Sequence, residues 1–358
     1  MQQFHNGILY VEIYVGMAKL VAWWHQHALG FTLMGKRERK GQFGLEVTYW
    51  LQNGGANLLI TSALEPAAHD VVSFVDRHGN SIKRFAIEVN SIEVATAFLQ
   101  QQSAILLSQG IEEERVGAEA SKMVRCKLFD DNEICFVERV GCGGILPGFQ
   151  LTQAEPTAAH PVKQIDHLAS VLRINEAEFW NHYLSKLMSL QHVQTIGEEF
   201  FAGLLTGMKM FVLTSPNKRI NQVIVEPLPE KSKKSQVDIF LSHHYGNGIQ
   251  HIAFEVDDLV GLVQELKSKG VGFTPVPEQY YRDLESHHPE LPIEHLRASN
   301  ILCEKDEDKI LLQVFTEPLG DRPTLFYEFV QRVNDFEGFG AANVKHLFKS
   351  LELQLNHD

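Results

Sequence analysis

No stretch of this chain stays apolar for the roughly 20 residues that a helix needs to cross a bilayer. The opening Met1-Gln2-Gln3-Phe4-His5-Asn6 lacks the basic-then-apolar layout of a secretory signal, so the expected location is the cytoplasm. Positive charge is also short: 32 Lys and Arg stand against 45 Asp and Glu, a net −13. That balance argues against a nucleic-acid partner or an anionic membrane surface. Cysteine is scarce. Cys126, Cys135, Cys142 and Cys303 form no Cys-x-x-Cys pair and are too sparse for a disulfide framework, which fits a reducing compartment. What remains is an ordinary globular composition, 44% hydrophobic and 22% charged, over 358 residues, enough for about two substantial cores.

The halves of the chain read as copies of one module. Lys83-Arg84-Phe85-Ala86-Ile87-Glu88-Val89 and Gln250-His251-Ile252-Ala253-Phe254-Glu255-Val256 are both strand-like, and each precedes a helical stripe. The first stripe is Ile92, Ala95 and Leu99. The second is Leu259, Leu262, Val263 and Leu266, opened by Asp257 and Asp258 and closed by Gly270. Leu9-Tyr10-Val11-Glu12-Ile13 matches Gln164-Ile165-Asp166-His167-Leu168, and Cys135-Phe136-Val137-Glu138-Arg139 matches Glu328-Phe329-Val330-Gln331-Arg332. Gly141 to Pro161, rich in Gly, Pro, Thr and Ala, reads as the linker. The expectation is an α+β protein of two tandem domains, residues 1–145 and 160–358, whose sheets curl around a central pocket.

The copies differ in their chemistry. At three matched strand positions the second half carries His167, His251 and Glu328, where the first carries Glu12, Arg84 and Cys135. Two histidines and a carboxylate on separate strands suit the facial triad that binds non-heme Fe(II) and leaves coordination positions open. A guanidinium has no lone pair to offer a cation, so the first half is expected to hold no metal. A lone strand histidine is ordinarily a hydrogen-bonded core residue. It is the set of three that points to a metal.

Four longer motifs carry a family resemblance: Gly248-Ile249-Gln250-His251-Ile252-Ala253, Leu311-Leu312-Gln313-Val314-Phe315-Thr316, Gly320 through Glu328, and Gly338-Phe339-Gly340-Ala341-Ala342-Asn343. Lys233-Lys234-Ser235-Gln236 and Glu278-Gln279-Tyr280-Tyr281 add to them. Together they resemble the 4-hydroxyphenylpyruvate dioxygenase and 4-hydroxymandelate synthase family, over nearly the whole chain. The resemblance implies the vicinal-oxygen-chelate (glyoxalase/bleomycin-resistance-like) fold, with paired βαβββ modules forming an open barrel in each domain. It also implies Fe(II) on His167, His251 and Glu328, with molecular oxygen as co-substrate. A small 2-oxo acid would chelate the iron, lose carbon dioxide and be hydroxylated, a reaction of aromatic amino acid metabolism. Gln236, Gln250 and Gln313 would orient it, as neutral amides that do not capture the metal. Phe315, Phe326 and Phe339 would exclude water, and an amphipathic stretch from Asn343 to Leu353 would form a lid. A homodimer is compatible with this reading.

Departures from the ring-hydroxylating pattern bear on the product. Met210 stands where that branch has a pocket serine, Val223-Ile224-Val225-Glu226-Pro227 where it reads Pro-x-Asn-Glu-Pro, and Ala342-Asn343-Val344 where it reads Gly-Asn-Phe. Val223 and Val344 fit the mandelate-forming branch, as does the opening Met1-Gln2-Gln3-Phe4 with Tyr10 to Val15. A smaller lid side chain would let the substrate turn its benzylic carbon to the oxidant. Met210 and Val225 cannot bond a phenol, which suggests a less polar 2-oxo acid. Three alternatives stand beside benzylic hydroxylation: ring hydroxylation to homogentisate, an extradiol ring-cleaving dioxygenase of the same fold, and a metal-free small-molecule binding protein. The last would retain two buried histidines and a glutamate without a partner.

Overall fold

The computed structural model describes residues 5–41, 43–154, 158–229, 231 and 233–346. Each half supplies one mixed sheet with helices on its outer face. In the first half the strands are β1 (His5–Tyr14), β2 (Thr32–Lys40), β3 (Leu45–Asn53), β4 (Ala56–Ala63), β5 (Ser81–Val89), β6 (Glu112–Val116), β7 (Glu119–Lys127), β8 (Glu133–Val140) and β9 (Gln150–Leu151). The helices are α1 (Ala18–Leu29), α2 (His69–His78) and α3 (Ile92–Gln101). The second half has β10 (Val162–Val171), β11 (Gln191–Ile196), β12 (Met208–Thr214), β13 (Asn221–Pro227), β14 (Gly248–Val256), β15 (Leu302–Asp306), β16 (Lys309–Phe315) and β17 (Phe326–Val333). Its helices are α4 (Ala177–Met188), α5 (Gln236–His244), α6 (Leu259–Ser268), α7 (Glu278–His287) and α8 (Ile293–Ala298). Among the described residues no helix is long and apolar enough to cross a membrane.

The repeat is real in three dimensions. The first sheet runs β9-β2-β3-β4-β1-β5-β8-β7-β6 and the second β11-β12-β13-β10-β14-β17-β16-β15. From β2 to β6 and from β11 to β15 the order is the same, and the pairing sense agrees: β1/β4 and β10/β13 are parallel, β1/β5 and β10/β14 antiparallel. The helix starts also hold. Ser91 caps α3 by accepting from the Val94 N–H, and Asp258 caps α6 by accepting from the Gly261 N–H.

Strand register corrects one match. In the second sheet His167 pairs with Ala253, and Ala253 with Glu328; in the first, Tyr10 pairs with Ala86, and Ala86 with Cys135. One row further along, Ala169–His251–Phe326 corresponds to Glu12–Arg84–Glu133. The counterpart of His167 is therefore Tyr10, two residues before Glu12. A shift of two leaves every side chain on the same face of a strand, so alternation alone cannot reveal it.

The stretch read as a linker is partly core. Ile145 and Leu146 are 2% exposed and pack with Phe149, Tyr10, Trp50 and Cys135 on the first sheet, which Gln150 and Leu151 extend as β9 on β2. Three apolar side chains thus fill the hollow of the first sheet, and the first sheet runs past residue 145. The two halves share one continuous core. At their junction Gly54, at φ +52°, brings the β3–β4 turn so close to β10 that a Cβ there would lie 1.8 Å from the Val162 carbonyl oxygen.

Candidate metal centre

Two irregularities in the central strands shape the site. Between Ile165 and His167 the β10/β14 pairing skips Asp166, and between Ala169 and Ser170 it skips Gln250. A bulge breaks strict alternation, so adjacent Asp166 and His167 reach the same place: His167 Nδ1 donates to Asp166 Oδ1 at 2.8 Å. Arg332, four residues beyond Glu328 on the same face of β17, grips Asp166 with Nε at 2.7 Å and Nη2 at 2.9 Å. It also donates to the carbonyls of Phe336 and Gly338. A carboxylate on Nδ1 fixes the ring and leaves Nε2 to act as the ligand.

Glu328 is the meeting point. Its Oε2 lies 3.1 Å from His167 Nε2 and 3.2 Å from His251 Nε2, while its Oε1 accepts from Gln313 Nε2 at 2.7 Å. One ligand atom from each of the three lies within 4.8 Å of the others. Burial disfavours charge on His167, but Glu328 and Asp166 outweigh that and raise its pKa to about 9. Burial would raise Glu328, yet His167 and His251 hold it down to about 2. Burial lowers the pKa of His251, with Glu328 opposing it. Arg332 balances Asp166, so the positive charge that buried Glu328 requires comes from His167. Two imidazole nitrogens and one carboxylate oxygen converging on one point fit a divalent cation in that role.

The surroundings divide by chemistry. Phe326 stacks on His251 at 4.8 Å between centroids, Phe315 meets the same ring edge-on at 6.0 Å, and Phe339 meets His167 at 5.5 Å while lying under the Arg332 guanidinium. Buried Asn343 donates to Gln313 Oε1. Across β13 and β12 the same face becomes wholly apolar: Ala169, Val171, Val223, Val225, Met210, Val212 and Ile196 form one cluster, with Phe339 and Val344 packed against it. A cavity of about 790 Å³ opens beside it, lined by Gln194, Ile196, Phe200 and Lys345 among others.

Most of the residues singled out in the sequence therefore gather here: His167, His251, Glu328, Gln313, Asn343, the three phenylalanines and the apolar residues. Gln250 is buried at its bulge beside His251. Gln236 is not brought in; it opens α5 behind the Ser235 cap and is exposed, while Val237 and Phe240 take the buried face of that helix. The lid stretch is helical over 341–346, and its continuation to Leu353 lies outside the described residues, as do Met1 to Phe4. Sequence reading missed Asp166 and Arg332. The signal was an acid inside an apolar strand directly before a histidine, and an arginine on the face of Glu328.

Comparison with known proteins agrees with this geometry. Residues 152–313 match the model of the Glyoxalase/Bleomycin resistance protein/Dioxygenase superfamily. Over 97% of its length the chain is 31% identical to the 4-hydroxyphenylpyruvate dioxygenase of Yarrowia lipolytica and 28% identical to that of Coccidioides posadasii, covering 92% of each. A solved triple mutant of 4-hydroxymandelate synthase from Streptomyces coelicolor superposes with a TM-score of 0.82 at 27% identity, over 98% of this chain and 99% of that one. The fold and site define a dioxygenase built of two vicinal-oxygen-chelate modules. Within that class the chain belongs to the 4-hydroxyphenylpyruvate dioxygenase family.

Proposed function

We propose that His167, His251 and Glu328 hold Fe(II), and that the enzyme oxidatively decarboxylates an arylpyruvate of the 4-hydroxyphenylpyruvate type and hydroxylates its benzylic carbon to give a mandelate. The observation that carries the metal assignment is the convergence of two Nε2 atoms and one carboxylate oxygen on a single buried point. Iron, when bound, supplies the activation of dioxygen. The 2-oxo acid loses carbon dioxide; one oxygen atom completes the new carboxylate and the other becomes the hydroxyl.

The chain's own residues do the rest. Asp166 and Arg332 hold the His167 ring in one tautomer. Gln313 occupies one oxygen of Glu328, which leaves the other to the metal. Phe315, Phe326 and Phe339 surround the two imidazoles and exclude water that would otherwise meet a reactive oxidant. The apolar cluster on β12 and β13 takes the aryl group, and the small Val344 against it leaves that group room to turn. A second reading, ring hydroxylation to homogentisate, draws on the activity named for the fungal relatives.

The test is turnover of a panel of 2-oxo acids by iron-loaded protein under oxygen, with products identified by mass spectrometry and NMR. A mandelate supports the proposal. Homogentisate overturns the benzylic assignment, and absence of oxygen uptake with every acid overturns the dioxygenase reading itself.

A further inference from the structure

Tyr280 sits in α7, outside the second sheet, yet its hydroxyl is the first link of a buried polar chain that ends on Glu328. The side chain is 1% exposed. Its oxygen accepts from the Cys303 N–H at 2.8 Å and lies 2.9 Å from Asn343 Oδ1 and 3.2 Å from the Cys303 carbonyl. A phenol has one hydrogen to donate, and the shorter contact assigns it to Asn343. With its oxygen so used, Asn343 turns Nδ2 to Gln313 Oε1 at 2.8 Å. That in turn points Gln313 Nε2 at Glu328 Oε1, at 2.7 Å. Each amide has a donor end and an acceptor end, so the sense set at Tyr280 passes through both.

The frame around this chain is rigid. Glu304, next to Cys303 on β15, accepts from the backbone N–H groups of Ala342 and Asn343 at the start of the 341–346 helix. Gly340, at φ +75°, lies against the Gln313 amide, where a Cβ would come within 2.0 Å of Oε1. Packing therefore fixes where the amide lies, just before the helix that Asn343 belongs to, and leaves the choice of which end faces Glu328 to its hydrogen bonds.

We propose that Tyr280 is a positioning residue: through Asn343 and Gln313 it holds Glu328 so that a single oxygen faces the metal, and it couples the seating of the 341–346 helix to that carboxylate. This rests on the assignment of Glu328 as a metal ligand. Without the phenol, Asn343 is free to flip. Gln313 then turns its carbonyl toward Glu328, and the carboxylate rotates away from the repulsion.

The experiment is a double-mutant cycle read by Co(II), whose affinity is measured by calorimetry and whose visible ligand-field spectrum reports coordination. Tyr280→Phe keeps the ring; Asn343→Ala cuts the chain beyond it and leaves the Tyr280–Cys303 contacts in place. We expect each to weaken Co(II) binding by roughly 10- to 100-fold, as loss of groups that orient a ligand does, and to alter the spectrum in the same way. The double variant is expected to be no worse than either single one. Additive losses, or a Tyr280→Phe protein with the wild-type affinity and spectrum, overturn the proposal. If wild type and His251→Ala bind Co(II) alike, the metal assignment itself is what fails.

Discussion

Tyr10 occupies in the first sheet the position that His167 occupies in the second. The full counterpart of the triad is thus Tyr10, Arg84 and Cys135, and none of these residues replaces an imidazole. Burial holds the Tyr10 hydroxyl pKa well above its usual value and raises the Cys135 thiol to about 12, so both stay protonated. Arg84 is held by Glu12 at 3.1 Å, Glu133 at 3.1 Å and the Tyr14 hydroxyl at 2.5 Å. The segment carrying Ile145, Leu146 and Phe149 then fills the hollow.

Metal stoichiometry should follow this asymmetry. We expect one divalent ion per chain, lost in His251→Ala and in Glu328→Ala. Arg84→Met should leave the metal content unchanged while lowering stability by about 3–5 kcal/mol, since it strands the buried Glu12 carboxylate, whereas Glu133 keeps Lys83 at 3.1 Å and Arg125 at 3.6 Å. Metal analysis and urea unfolding of the three variants check this. A second equivalent of metal in wild type, or metal lost in Arg84→Met, would contradict it.

Much of the catalytic geometry was legible because strands advertise themselves. A period of two, a glycine turn and a capped helix placed His251 and the α6 stripe, and a repeat in the other half exposed the contrast with Arg84. What was hidden depends on departures from that regularity. The bulge at Asp166 puts neighbouring side chains side by side, which alternation forbids. The two-residue offset at Tyr10 is invisible to alternation. Ile145 and Leu146 are core because an empty hollow demanded apolar volume, not because their Gly- and Pro-rich surroundings look like core. Gln236 read as a site residue from its motif, and in α5 it is Val237 and Phe240 that face inward.

Acid should loosen the junction between the halves. His25 donates through Nδ1 to the Val21 carbonyl and faces the Tyr327 hydroxyl with Nε2 at 2.6 Å; burial lowers its pKa to about 4. His244 stacks on Phe240 and on His78 at 4.3 Å, and burial followed by the neighbouring His78 lowers it to about 3, with Asp130 and Arg322 also near. A histidine with a depressed folded pKa stays neutral while the unfolded chain takes up a proton. Its stabilising contribution is therefore complete above about pH 6.5 and is lost as pH falls from there through about 4 and 3. The limiting slope is about 1.4 kcal/mol per pH unit for each histidine. Urea unfolding at pH 7, 6 and 5 should show this decline, and His244→Phe should make it shallower. Equal slopes for wild type and variant would refute the assignment.

The apolar face on β12 and β13 bears on which 2-oxo acid the enzyme prefers. Met210 pairs with Val225 and Val212 with Val223 across β12 and β13, and all four belong to the same apolar cluster as Ile196. Neighbouring strands lie about 4.8 Å apart, so Met210, two strands from His167, is roughly 10 Å from it across the sheet, in the row of Val225 and Val171, four residues beyond His167 along β10. An arylpyruvate held at the metal would carry its para position toward this wall. A phenolic hydroxyl there would lose its water and gain no partner, at about 1–3 kcal/mol. A hydrophobic pocket rejects an added hydroxyl by about 100-fold at most, so the preference for phenylpyruvate over 4-hydroxyphenylpyruvate in kcat/KM should lie at roughly 10- to 100-fold. Met210→Ser, or Val225→Asn, should narrow or invert that ratio by restoring a hydrogen-bonding group. A wild-type enzyme that strongly favours 4-hydroxyphenylpyruvate would mean that the aryl group does not lie against Met210, and that the apolar face on β12 and β13 is core instead.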